Sequence, residues 1–139
     1  DLDYASRLGM ESTGHGWRNT MWSTDPLTVR PQPSLRHLTV EPGSASFADL
    51  VASMDRGLIL EDVLGAHSGN IPNGDYSVGA NPAYWVEGGE IVGRAKDVMV
   101  AGNVYETLRS VVAVGDRVEA CGAGRMPAIL CDGVSVTCG

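Results

Sequence analysis

The stretch spanning residues 57–80, GLILEDVLGAHSGNIPNGDYSVGA, constrains the fold more than any other part of the chain. It sets a short apolar run, a loop rich in Gly, His and Asn, and a Gly-Asp-Tyr-Ser turn in one fixed order. Leu58-Ile59-Leu60 suits a buried strand, because continuous apolar runs this short are too brief for a helix. Asn73-Gly74 permits a positive φ, and the side chains of Asp75 and Ser77 can satisfy neighbouring amides. Such a segment belongs to a sheet with tight, specific turns.

The flanking sequence extends that pattern. Tyr76, Val78, Tyr84, Val86, Ile91, Val98 and Val100 fall in short β-like pieces separated by Gly, Asn and Pro, which predicts an antiparallel meander. Ser46 followed by Asp49 is a capping box, and Phe47, Leu50, Val51 and Met54 recur at helical spacing, so a helix begins there and Gly57 ends it. A second helix is expected from Asn103 as N-cap, with Val104, Leu108, Val111 and Val112 on one stripe packed on the sheet and Gly115 just past its end. Residues 35–40 alternate before Glu41-Pro42-Gly43 and predict a first strand. Asp132-Gly133, between apolar runs at 128–131 and 134–137, predicts a two-residue hairpin, whose register sets Cys131 and Cys138 too far apart along the ladder for a disulfide. Residues 1–34 are rich in Gly, Ser, Thr and Pro, with Asp25-Pro26 and Pro31-Gln32-Pro33, and read as an extended, loop-rich opening segment ahead of an α+β domain over 35–139.

Composition excludes several functions. A chain of 139 residues with 43% hydrophobic content is one domain's worth, able to bury roughly 65 to 70% of its unfolded surface without disulfide staples. Three cysteines and no Cys-x-x-Cys point to a reducing compartment, and with no targeting signal the expected location is cytoplasmic. A net charge of -7 opposes attraction to nucleic acid or anionic lipid, and no apolar run approaches the roughly 20 residues that span a bilayer.

Candidate chemistry is sparse. His67, beside Ser68 and Asn70 in Gly-Ala-His-Ser-Gly-Asn, is an accessible loop imidazole that could serve a ligand or simply hold the turn through a carbonyl. His15 and His37 lack a helical i, i+4 mate for a metal. Cys121 sits among small residues where a thiolate could reach zinc, or be a small packed hydrophobe. Residues 73–79 can be purely structural, or can line a groove that holds an extended peptide by main-chain bonds, with Trp17, Trp22 and Trp85 as a wall or as core. No residue is assigned a catalytic role.

Read in order, seven separated elements carry a resemblance. They are Glu11-Ser12-Thr13-Gly14 with Arg18, Leu38-Thr39-Val40-Glu41-Pro42-Gly43, residues 57–80, Trp85 through Ile91, Ala101-Gly102-Asn103, Val112-Ala113-Val114-Gly115-Asp116, and residues 127–136. Together they resemble the C-terminal domain of the TldD/PmbA family, zinc-dependent peptide-maturation proteases that work as two-subunit assemblies. The departures are Asn81-Pro82-Ala83 ahead of the aromatic pair and a shortened stretch after Cys121. The resemblance implies a mixed α+β fold with a barrel-like, mainly antiparallel sheet and about two packed helices. It also implies that the catalytic His-Glu-x-x-x-His helix lies upstream, since no His-Glu pair occurs here, so the chain is expected to be a fragment, a separately encoded piece or a proteolysis product.

The short form after Cys121 is similar to the PmbA/TldE-type subunit that lacks metal. On that reading the chain forms a peptide channel and dimer interface, with His67, Ser68, Asn70, Gly74, Asp75 and Ser77 toward the peptide and no cofactor of its own. Its expected partners are a second TldD/PmbA-type subunit or the missing upstream segment, and an extended peptide. Two alternatives stay open: part of the zinc-bearing subunit, with Cys121 as third metal ligand, and a free-standing peptide-binding or scaffold module.

Overall fold

The computed structural model describes residues 2–19, 25, 27–34, 37–70, 72–122 and 124–138. In chain order the elements are α1 (Leu2–Leu8), β1 (Gly16–Trp17), β2 (Gln32–Pro33), α2 (Phe47–Ala52), β3 (Arg56–Leu60), β4 (Val63–Leu64), a 3-10 turn (Ala66–Ser68) and β5 (Asp75–Ala80). There follow β6 (Ala83–Glu87), β7 (Glu90–Ala95), β8 (Val98–Asn103), α3 (Val104–Arg109), β9 (Val111–Cys121), β10 (Gly124–Cys131) and β11 (Ser135–Cys138). The fold is α+β and mainly antiparallel, as expected, with β1–β2, β3–β6–β7 and β11–β8–β5–β4 all paired antiparallel. Among the described residues no helix is long and apolar enough to cross a membrane.

The chain divides into two compact units, Asp1–Thr39 with Ala120–Arg125, and Val40–Glu119 with Met126–Gly139. In the first, Leu2–Leu8 is a helix where an extended segment is expected, with Asp3 and Arg7 paired one turn apart at 3.0 Å. Among the described residues 37–40 the predicted strand does not form. His37 takes a positive φ of 57°, which breaks strand geometry, and only Thr39 bridges to Arg125; Leu35 and Arg36 lie outside the described residues.

The second unit holds the meander. Strand order is β11-β8-β5-β4 in one sheet and β3-β6-β7 in another, with β9 and β10 forming their own ladder. The barrel-like sheet of the sequence reading is therefore not a closed barrel. Closure needs every strand paired on both sides with a continuous stagger, whereas β4 offers only Val63 and Leu64 to β5, and β7 carries an extra residue, Val92, where the register jumps from Trp85↔Gly93 to Val86↔Ile91. Alternation along β5 and β8 directs Val78, Ala80, Val98 and Val100 inward to meet Ala83 and Ala95, with Leu58, Tyr76, Trp85 and Val134 packed against them.

The capping box at Ser46 is present as predicted. Asp49 N–H donates to Ser46 Oγ at 3.1 Å, and Ser46 N–H and Oγ–H donate to Asp49 Oδ2 at 3.2 and 2.6 Å. Those bonds hold the Asp49 carboxyl below its ordinary value. Its stabilising contribution is thus present above the unfolded pKa and lost as pH falls through the lowered one. The helix ends at Ser53 rather than Gly57, which instead pairs with Val86 inside β3.

Two further expectations are corrected. The helix from Asn103 stops at Arg109, has no buried residue, and gives way to β9, because Val111, Val112 and Val114 are β-branched and alternate as a strand. Gly115 is not a helix stop but a close-packed strand position, buried and bridged to Ala45, where a Cβ would meet Ala128 O at 3.2 Å. The Asp132-Gly133 turn exists, yet its flanking strands do not pair with each other. β10 pairs with β9 while β11 crosses to β8, setting Cys138 opposite Val98, and Cys121, Cys131 and Cys138 are all free thiols.

Candidate functional site

Residues 65–70 and 72–79 comprise a 3-10 turn, a tight loop tied to the start of α3, and the first part of β5. Asn70 O accepts from Asn73 N at 3.1 Å and Gly74 N at 2.9 Å, and Asn70 N returns a bond to Asp75 O at 3.1 Å. Gly74 is buried at φ 80°, and its carbonyl accepts from Val104 N at 2.8 Å. Asn103 ties the loop to the helix. Its Nδ2 donates to Asn73 O and to Asp75 Oδ1, both at 2.8 Å, while its Oδ1 accepts from Tyr105 N at 3.0 Å as the helix N-cap.

Those bonds decide which predicted site residues face outward. Gly74 offers neither N–H nor C=O to a ligand, since both are used within the chain. Asp75 and Ser77 point to the exposed face of β5 while Tyr76 and Val78 turn inward, Tyr76 hydroxyl meeting Thr107 Oγ1 at 2.9 Å. On the side of β5 away from β8, Asp75 bridges Asn70 and Gly79 pairs with Leu64. Tyr76, Ser77 and Val78 between them have no strand partner on that side among the described residues. The 3-10 turn with His67 and Ser68 borders this gap.

His67 and Ser68 do not form a nucleophile pair. Both the N–H and the hydroxyl of Ser68 donate to Gly65 O, at 3.0 and 2.7 Å, and His67 is exposed without a hydrogen bond among the described residues. Of the aromatic residues weighed as a wall, Trp85 packs on the core, Trp17 is half exposed, and Trp22 lies outside the described residues.

The described residues do not assemble a zinc site by themselves. Among the described residues no three His, Cys, Asp or Glu side chains converge, whereas zinc takes three or four protein ligands. Cys121 is exposed at the end of β9, next to Gly122 at φ 55°, and burial pushes the Cys131 thiol up, away from the thiolate a metal would need.

What sequence reasoning missed is the double duty of Asn103, which links a turn and a helix across some thirty residues of chain. Its N-cap role was legible; its grip on Asn73 and Asp75 depends on the β5–β8 pairing of Asp75 with Asn103.

Comparison with known proteins fits this architecture. The family model for the PmbA/TldA metallopeptidase C-terminal domain matches residues 1–138. A metalloprotease PmbA homolog of Haemophilus influenzae is 34% identical over 113 residues, 81% of this chain and 21% of its own length. Metalloprotease PmbA of Escherichia coli O157:H7 is 30% identical over 128 residues, 88% of this chain and 24% of its own. The crystal structure of TldE from Thermococcus kodakarensis superposes with a TM-score of 0.81 at 32% identity, covering 98% of this chain and 30% of that one. The chain thus spans less than a third of the length of each of these relatives. With its motifs, its fold and these likenesses in agreement, the chain belongs to the TldD/PmbA family, as its PmbA/TldA metallopeptidase C-terminal domain.

Proposed function

We propose that this chain is the C-terminal domain of a PmbA/TldE-type subunit without metal, which helps form the peptide channel and the dimer interface of a cytoplasmic, two-subunit peptide-maturation protease. A zinc-bearing TldD-type subunit performs the cleavage. The observation that carries the reading is the likeness to TldE and PmbA across nearly the whole chain. In the peptide-holding role, the main-chain N–H and C=O of Ser77, on the unpaired side of β5 between Asp75 and Gly79, are offered to an extended peptide. Asp75, Ser77, His67, Ser68 and Asn70 stand around it, and Gly74 acts only through the turn that sets the strand. Such recognition tolerates many peptide sequences.

Zinc analysis of the purified chain tests the metal-free assignment. After incubation with excess zinc and gel filtration, the metal content is expected to stay far below one equivalent. A full equivalent that disappears in Cys121→Ser would contradict the assignment and make Cys121 a ligand of the zinc-bearing subunit.

A further inference from the structure

The sheet β11-β8-β5-β4 has one face in the core and one face open. Leu64, Gly79 and Met99 are direct neighbours across β4, β5 and β8 and share the open face, while the next row, Val63, Ala80 and Val98, turns the other way and buries Ala80 and Val98. Gly79 is therefore a gap between two apolar side chains, Leu64 at 59% and Met99 at 44% exposure. Its φ is not positive, and a Cβ built on it would lie 3.8 Å from Leu64 Cβ and 3.9 Å from Met99 Sδ, ordinary contact distances. Neither the backbone nor the packing requires glycine there. The missing side chain leaves a trough.

That trough opens into a groove of about 560 Å³ that Asn81, Arg94, Lys96 and Asp97 also line. Arg94 Nη2 donates to Asn81 Oδ1 at 3.1 Å, which fixes the guanidinium at the groove wall. Neither Arg94 nor Lys96, the single lysine of the chain, is ion-paired among the described residues. In a chain of net charge -7, two cations without an ion pair among the described residues, beside an apolar trough, are a specific arrangement for an anion that carries an apolar body.

We propose that this groove binds apolar carboxylates, of which a peptide C-terminus ending in an aliphatic residue is the natural example. The aliphatic side chain lies over Gly79 between Leu64 and Met99, and the carboxylate lies between Arg94 and Lys96. Asp97, at the rim beside Lys96, opposes the ligand charge and keeps affinity modest. The site uses the face of the sheet and not the edge of β5, so it does not rest on the peptide-channel reading.

Amide chemical shifts of the chain, titrated with acetyl-Ala-Ala-Ala-Leu as free acid and as C-terminal amide, test it. The acid is expected to shift the amides around Gly79, Met99 and Lys96, and the amide to bind at least about tenfold more weakly. Acetyl-leucine alone distinguishes the sources: shifts like those of the peptide assign small apolar acids, and their absence assigns a peptide C-terminus. Gly79→Val fills the trough and Arg94→Gln removes the fork, and each is expected to weaken the acid at least about tenfold, while Asp97→Asn tightens it. Equal binding of acid and amide, no shifts with either, or unchanged affinity in a folded Gly79→Val overturns the proposal. Should Gly79→Val fail to fold, Arg94→Gln and the acid-to-amide comparison decide alone.

Discussion

Replacing Gly74 by valine is expected to destabilise the chain by about 2 to 4 kcal/mol and to loosen the segment that leads into β5. The cost has two sources. At φ 80° a side chain crowds its own backbone, and a β-branched one does so most. A Cβ there would also meet Tyr105 Cε2 at 2.7 Å, Tyr105 Cδ2 at 2.8 Å and Val104 Cγ1 at 3.0 Å. The Tyr105 ring is half exposed and can swing aside, but the φ penalty has no such relief. Urea unfolding of the variant beside wild type measures the difference, and a change below about 0.5 kcal/mol would show that the turn tolerates the valine.

The second large effect belongs to Asn103. Substitution by alanine removes the N-cap of α3 and both bonds that hold the turn, an expected loss of about 2 kcal/mol if the cap contributes about 1 and each other bond about 0.5. Asn103→Asp discriminates between the two roles. It keeps the capping acceptor but loses the donor, and it sets a second carboxylate against Asp75, whose Oδ1 lies 2.8 Å from Asn103 Nδ2 in the native chain. The pair then ionises with difficulty, so the raised carboxyl pKa makes the deficit largest at neutral pH and relieves it as pH falls through that value. A deficit in Asn103→Asp that does not change with pH would mean that Asp75 swings away and that capping alone explains the residue.

Local signals predicted what local physics determines. Ser46 with Asp49 and the N-cap at Asn103 fixed two helix starts, and the alternation of Tyr76, Val78, Val98 and Val100 gave the paired strands of the meander. Failures occurred where a distant partner outbid a local preference. Val111 and Val112 continue an apolar helical stripe in sequence, but β10 offers them a strand partner, and β-branched side chains lose more by staying helical. Asp132-Gly133 turns the chain as expected, yet β9 and β8 capture the two arms separately. The helix Leu2–Leu8 was hidden by the Gly, Ser, Thr and Pro of the residues after it.

The candidate site was legible only in part. The composition of residues 65–79 marked a specific turn, but nothing local revealed that Gly74 faces Tyr105 and is closed to a ligand, or that Ser68 commits its hydroxyl to Gly65. The trough at Gly79 is invisible in sequence because it depends on Leu64, Gly79 and Met99 lining up across three strands.

Peptide cleavage and capture test the central claim most directly, measured for the chain alone, for a zinc-bearing TldD-type subunit alone, and for the two mixed. The account predicts no turnover by the chain alone and a stable complex on mixing, in which an extended peptide is held with little regard to its side chains. Chelator-sensitive hydrolysis by the chain alone, or two proteins that pass through gel filtration as separate species at every concentration tested, would contradict it.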